Sequence, residues 1–222
     1  MEILVLSDIH GDLELISYVK DDLKRADIVL LSGDITHFGK IIQIKRVISH
    51  IKKFNVNILA VPGNCDYPDV GKYLAEEELS LDCRYKKIKG VYFMGVGGSL
   101  PCPGKTPTEY SEEEYLMMLE ETVMENLTEG LPIILLNHQP PFNTIADKLG
   151  NGFHVGSHSI RQFIEKYQPV FSFCGHIHES ICTDFIGKTI VVNPGPFKLG
   201  RLAKASFKNN KANAEIINMF TR

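Results

Sequence analysis

Seven side chains able to bind a cation stand in five short groups along this chain: Asp8-Ile-His10, Gly33-Asp34, Gly63-Asn64, Asn137-His138 and Gly175-His176-Ile-His178. Taken singly, none is informative. An Asp after an apolar run is ordinarily a helix cap or a solvated loop residue, and an isolated His is ordinarily a satisfied polar group. Five successive apolar runs that each end in a potential ligand are a different matter. Asp8 and His10 are two residues apart, as are His176 and His178, so in extended backbone each pair projects to one side. The set holds two carboxylates, one carboxamide and four imidazoles. It is too rich in nitrogen for calcium or magnesium, and it lacks the cysteine cluster of a structural zinc site. Seven donors are too many for one ion. They suit two transition-metal ions that share a bridging carboxylate, roughly 3.5–4 Å apart.

The elements that must place these groups read as short apolar runs at 2–6, 28–31, 56–61, 133–136 and 170–174. Runs apolar throughout predict strands buried on both faces. Each polar group falls at the C-terminal edge of its strand, where open α/β sheets bind ligands. Helical periods lie between the strands: Leu15, Ile16, Val19 and Leu23 share a face, as do Ile41, Ile44, Ile48 and Ile51. Leu116, Leu119 and Val123 repeat the pattern, and so do Ile160, Phe163, Ile164 and Tyr167. These stripes are core packing. The β-α-β-α-β order of the first half favours a largely parallel sheet with right-handed crossovers. After residue 180 the pattern changes to strand-like stretches 181–186, 188–192, 202–207 and 212–219, joined by short turns such as Gly187-Lys188, which predicts antiparallel hairpins. Together these imply two sheets packed face to face with helices outside. The Pro- and Gly-rich stretch 99–107 (SLPCPGKTP) reads as irregular, and Ser111 as the N-cap of a helix that opens on three glutamates.

Composition narrows the function classes. With 222 residues at 44% hydrophobic and 23% charged, the chain is expected to form a single domain, 1–222, with a sizeable core. A net charge of −3 and the lack of a dense Lys/Arg stripe with interleaved aromatics disfavour nucleic acid as a partner. No apolar run approaches the ~20 residues of a membrane helix, and the start has no signal-peptide character. Five scattered cysteines without a C-x-x-C suggest a reducing compartment, so the cytoplasm is expected and no disulfide framework is. The glycosylation sequon Asn126-Leu-Thr128 then carries no meaning.

The order D-x-H, GD, GN, H, GHxH across residues 8–178 resembles the calcineurin-like metallophosphoesterase superfamily. GDITHFG, GFHVGS, CGHIHES and NPGP are most similar to its small bacterial and archaeal members. The resemblance implies an α/β fold, a four-layer α/β/β/α sandwich of two mixed β-sheets flanked by helices. It implies that Asp8, His10 and His178 bind one metal, that Asn64, His138 and His176 bind the other, and that Asp34 bridges them. The ions would be two divalent transition metals, manganese first, with iron, nickel, cobalt or zinc as alternatives. Such a pair supplies a bridging hydroxide at neutral pH and neutralises phosphoryl oxygens during in-line attack. The expected reaction is hydrolysis of a small phosphate ester, a phosphodiester before a monoester. A catalytically silent scaffold on the same fold and a nuclease are the alternatives. All seven positions carry competent ligands, which argues against the scaffold.

Cys65 stands where many of these relatives have a histidine thought to protonate the leaving group. A thiol is a poor substitute, and the adjacent Asp66, if exposed, would be ionised. Either the site prefers esters with good leaving groups or His154 or His37 serves as a substitute acid, and Asp34, Asn64, His138 and His154 form the expected catalytic set. Gly152 to Ser157 precede a helix and could form an anion site. Arg161 and Lys198 read as surface residues that could reach phosphate, Gly95-Val-Gly-Gly98 as a loop near the site, and Asn193-Pro-Gly-Pro196 as a rigid turn shaping its wall. The identity of the ester and the oligomeric state are not written in these motifs.

Overall fold

The computed structural model describes residues 1–124 and 130–221; the sequon at 126–128 lies outside the described residues. Its strands are β1 (Glu2–Leu6), β2 (Ile28–Ser32), β3 (Ile58–Val61), β4 (Arg84–Ile88), β5 (Val91–Val96), β6 (Ile133–Asn137), β7 (Phe171–Phe173), β8 (Cys182–Ile186), β9 (Thr189–Asn193), β10 (Arg201–Lys208) and β11 (Lys211–Asn218). Its helices are α1 (Lys20–Arg25), α2 (Ile41–Lys52), α3 (Pro68–Glu76), α4 (Glu112–Met124) and α5 (His158–Tyr167). One sheet has five strands in the order β11-β10-β1-β2-β3, and the other six in the order β4-β5-β6-β7-β9-β8. Both are mixed: β1, β2 and β3 run parallel, as do β5, β6, β7 and β9, while β10, β11, β4 and β8 pair antiparallel.

Period-two alternation in the apolar strands produces the layering. In β1, Leu4 and Leu6 face the helical side while Ile3 and Val5 face the other sheet. In β3, Ile58 and Ala60 face one way and Leu59 and Val61 the other. Strand β6 divides likewise, with Ile134 and Leu136 turned to the first sheet and Ile133 and Leu135 turned outward. Three cores result. One lies between α1–α3 and the first sheet, one between the sheets, and one between the second sheet and α4–α5. This is the expected α/β/β/α sandwich, and fully burying each such Leu or Ile contributes roughly 1.5–3 kcal/mol. Among the described residues no helix is long and apolar enough to cross a membrane.

Three local expectations are corrected. The helix expected over 15–23 begins as a 3-10 turn, Leu15–Val19, and becomes α-helical only at Lys20, because Val19 leaves the helical region at φ −102°, ψ 15°. On α4 the buried stripe is Tyr115, Leu119 and Val123, whereas Leu116 is 37% exposed; the Tyr115 hydroxyl donates to the Gly97 carbonyl at 3.0 Å. Gly95 and Val96 belong to β5, not to a loop, and Gly95 interrupts the apolar run because a side chain there would strike the Leu136 carbonyl on β6.

Candidate metal centre

Strands β1, β2 and β3 of one sheet and β6 and β7 of the other end at the same edge of the sandwich, and each candidate ligand sits on the turn that follows. Asp8, His10, Asp34 and His176 have positive φ, at 52°, 51°, 47° and 68°. Asp and His tolerate this region better than most residues, and such backbone persists only where its surroundings over-determine it. Hydrogen bonds between turns do so here. Asp8 N–H donates to the Gly33 carbonyl at 3.1 Å, His10 N–H to the Asp34 carbonyl at 2.9 Å, and Gly175 N–H to the His138 carbonyl at 3.0 Å. The glycines ahead of Asn64 and His176 permit this closeness. A methyl on Gly63 would overlap the Asp34 backbone and carboxylate, and one on Gly175 would overlap the Ser7 hydroxyl.

The seven side chains converge. His178 Nε2 lies 3.3 Å from Asp8 Oδ1 and 3.4 Å from His10 Nε2. His138 Nε2 lies 3.0 Å from Asn64 Oδ1, and its ring is 5.2 Å from that of His176. Between the two groups stands Asp34, with Oδ2 3.8 Å from His10 Nε2 and Oδ1 3.4 Å from His138 Nε2. Its two oxygens thus face different groups, the disposition of a bridging carboxylate. Asp8, His10 and His178 bring ligand atoms within 4.8 Å of one another, as do Asp8, Asp34 and His138.

The electrostatics suit cation binding. Burial pushes His10 down to about 4 against the pull of Asp34 and Asp8, and burial and His138 bring His176 to about 4, so both are neutral at pH 7 and carry lone pairs. Burial alone would raise the Asp8 carboxyl, but His178, His138 and the Ser7 hydroxyl hold it well below the usual carboxylate range. His178 is raised, chiefly by its hydrogen bond to Asp8. His138 Nδ1 lies 2.7 Å from the Ser32 carbonyl, which only accepts, so Nδ1 carries the proton and Nε2 the lone pair. That lone pair faces Asn64 Oδ1, while the amide nitrogen is turned to Cys65 Sγ at 3.7 Å. Two acceptors held face to face fit a cation bound between them.

The neighbouring residues divide. His37 reaches the centre, with Nδ1 3.4 Å from His10 Nδ1. The positive charge of Lys198 opposes protonation of His10 and His178, which places it at the rim, nearer than its sequence context suggested. Cys65 Sγ lies within 4.8 Å of ligand atoms of His10 and Asp34, and burial, followed by the Asp34 charge, pushes its thiol well up. Asp66 is fully buried, not exposed. Its oxygens accept from the N–H groups of Gly63 (2.8 Å), Ile35 (3.0 Å) and Thr36 (2.8 Å) and from the Thr36 hydroxyl (2.7 Å). It latches the Asp34 turn to the Asn64 turn. The Asn193-Pro-Gly-Pro196 turn braces the site in a similar way, since Asn193 Nδ2 donates to the Ile177 carbonyl at 2.9 Å and Phe197 N–H to the Ser7 carbonyl at 2.7 Å.

Other expected contacts are engaged elsewhere. His154 Nδ1 is 2.7 Å from Asp147 Oδ1, and the groupings of described residues able to hold a metal do not include it. The helix after Gly152 to Ser157 is no open anion site, because Glu112 of α4 fills the N-terminus of α5. Its carboxylate accepts from the Ser157 hydroxyl (2.7 Å) and from the N–H groups of His158 (2.7 Å) and Ser159 (2.9 Å). Arg161 donates to Glu165 and to the Phe142 and Asn143 carbonyls, so it tethers a loop. Asp66 and Cys102, whose sulfur lies 3.8 Å from His176 Nε2, went unassigned from sequence. For Cys102 the available signal was its position in the loop that follows β5, another parallel strand ending at the same edge.

A family model described as "Calcineurin-like phosphoesterase" matches residues 1–180. The chain belongs to the calcineurin-like phosphoesterase family. An uncharacterized protein of Methanocaldococcus jannaschii is 44% identical over 200 residues, covering 88% of this chain and 88% of that one. A probable glycerophosphodiester phosphodiesterase of Arcobacter nitrofigilis is 27% identical over 196 residues, covering 83% of this chain and 68% of its own length. A crystal structure of a Thermus thermophilus protein superposes with a TM-score of 0.76 at 21% identity, covering 98% of each chain, and shares the calcineurin-like fold.

Proposed function

We propose that this protein hydrolyses a small phosphate ester, a phosphodiester by preference, with two divalent transition-metal ions. Asp8, His10 and His178 hold one, Asn64, His138 and His176 the other, and Asp34 joins them. The observation that carries the reading is Asp34, whose two oxygens face two separate donor groups at 3.8 and 3.4 Å. Bound there, the ions would supply a nucleophilic water at neutral pH and offset the charge that builds on the phosphoryl oxygens. The chain's own residues do the rest. Cys65 N–H donates to Asp34 Oδ1 at 2.8 Å and fixes the carboxylate's orientation. Lys198 at the rim attracts the phosphate anion. Of the two histidines considered as leaving-group acids, His37 is the better placed, since it touches His10 whereas His154 is engaged with Asp147. The distant relative named as a probable glycerophosphodiester phosphodiesterase supports a diester over a monoester.

The test is metal analysis of the purified protein together with hydrolysis of bis(p-nitrophenyl) phosphate and p-nitrophenyl phosphate under Mn, Ni, Co, Fe and Zn. Turnover that requires metal and favours the diester is expected. Absence of both bound metal and turnover under all five would replace this reading with that of a scaffold.

A further inference from the structure

The turn after Asp34 holds a phenylalanine in a conformation that phenylalanine avoids. Phe38 has φ 51°, and among the described non-glycine residues with positive φ it carries the one large apolar side chain. Bulky side chains are rare in this region and strain the backbone. Hydrogen bonds impose the geometry. Thr36 donates to Asp66 Oδ1 from its N–H at 2.8 Å and from its hydroxyl at 2.7 Å. Gly39 N–H donates to the Thr36 hydroxyl at 3.2 Å, and Phe38 N–H to the Cys65 carbonyl at 3.2 Å. Glycine would meet the same geometry without strain. The ring is also 45% exposed, so much of its surface lies in water and not in the core.

The strained residue stands beside the metal centre. Its ring centroid is 5.0 Å from that of His37, edge to face at 71°. His37 stands in turn against His10, at 5.1 Å and 82°. The Phe38 backbone is bonded to Cys65, whose sulfur is grouped with the donor atoms of His10 and Asp34. Phe38 thus lies at the rim, between two residues that border the site. An ester whose phosphoryl group sits on the metals directs its substituents away from the buried ligands, toward that rim.

We infer that Phe38 is a stacking platform for a planar ring carried by the ester, an inference that rests on the metal centre proposed above. The favoured substrates are esters of phenols or nucleosides over those of glycerol or another ringless alcohol. A phenyl face accepts any planar ring, stacked with an offset or met edge-on. Stacking of a base on an aromatic side chain raises affinity by about 5- to 140-fold.

The test is calorimetric binding of three phosphate monoesters to the metal-loaded full chain: glycerol 3-phosphate, phenyl phosphate and adenosine 5′-phosphate. All three offer the metals the same phosphoryl group, so differences in affinity report on the substituent. Wild type should bind ring-bearing esters about 5- to 140-fold more tightly than glycerol 3-phosphate. A gain for both means that any planar ring is accepted, and a gain for one alone identifies the ring as aryl or nucleobase. Phe38→Ala and Phe38→Gly should abolish the preference, and Phe38→Trp should keep it. Phe38→Gly also relieves the strain, so Tm of the metal-free protein should rise by about 2–4 °C after allowing for the chain entropy that glycine adds. A ring that served the fold would instead lower Tm when removed. Ring esters bound no more tightly than glycerol 3-phosphate, a preference that survives Phe38→Ala, or a lower Tm for Phe38→Gly would overturn the inference and leave the metal centre standing. Absence of metal-dependent binding for all three esters would overturn the centre itself, and the role of Phe38 with it.

Discussion

Replacing Asp66 with alanine tests whether the site is held together by its latch. The carboxylate is fully buried and accepts four hydrogen bonds, three of them from backbone N–H groups on the turns that carry Asp34 and Asn64. Each buried donor left without an acceptor costs about 1–3 kcal/mol, and water entering the vacated space recovers part of that. The net loss should be about 3–5 kcal/mol, similar to removing one partner of a buried charged pair. At this chain length that corresponds to a drop of about 6–20 °C in Tm. Asp69→Ala, three residues on at the exposed start of α3, loses only a favourable helix-end charge and should stay within about 1 kcal/mol of wild type. The assay is thermal and urea unfolding of the metal-free proteins, which separates the latch from any contribution of bound ions, followed by cobalt titration of the variant. Uptake should fall as well, because the turns carrying Asp34 and Asn64 are no longer clamped together. A Tm within about 3 °C of wild type with undiminished cobalt uptake would show that the turns hold themselves and that the latch reasoning is wrong.

Other outcomes follow from the same geometry. Asp34→Asn removes the charge shared by the two donor groups and should lower diester turnover at least ~100-fold, with loss of one metal per chain by elemental analysis; wild-type turnover would refute the bridging role. Gly63→Ala places a methyl into the Asp34 backbone and should destabilise by at least about 1–3 kcal/mol, whereas Gly104→Ala, with open space around it, should be neutral or slightly stabilising in the same melts. Glu112→Gln should cost about 1–3 kcal/mol at neutral pH by weakening the charge-assisted bonds to the start of α5. Burial alone would raise the Glu112 carboxyl, but the bonds from Ser157, Ser159 and His158 outweigh it and hold it below the ordinary value of 4.5. A depressed carboxylate stabilises above its unfolded pKa and loses that contribution as pH falls through its folded pKa, so the gap between wild type and Glu112→Gln should close below about pH 4.5. A gap independent of pH would contradict the assignment.

By itself the sequence determined the layers and the ligand types. Runs apolar throughout implied strands buried on both faces, and the folded packing then divided Ile3 and Val5 from Leu4 and Leu6. The D-x-H, GD, GN, H and GHxH groups were legible because the covalent chain places each at a strand end, and shared strand direction then brings those ends to one edge. Elements with weak periodicity were not legible: β4 is charged and mostly exposed, and β5 is broken by a glycine whose reason lies on β6. Only the tertiary structure decided which groups meet. Asp66 looked like an exposed loop acid because nothing local shows that Ile35 and Thr36, thirty residues away, turn their N–H groups toward it. The start of α5 looked available until Glu112 was found occupying it. Cys102 looked like part of an irregular loop until Thr108 and Leu100 tied that loop to the Asn64 and His138 turns. Identity and strand position are local properties carried by the chain. Which donor faces which acceptor is set by contacts across large sequence separations, and only the folded packing fixes those.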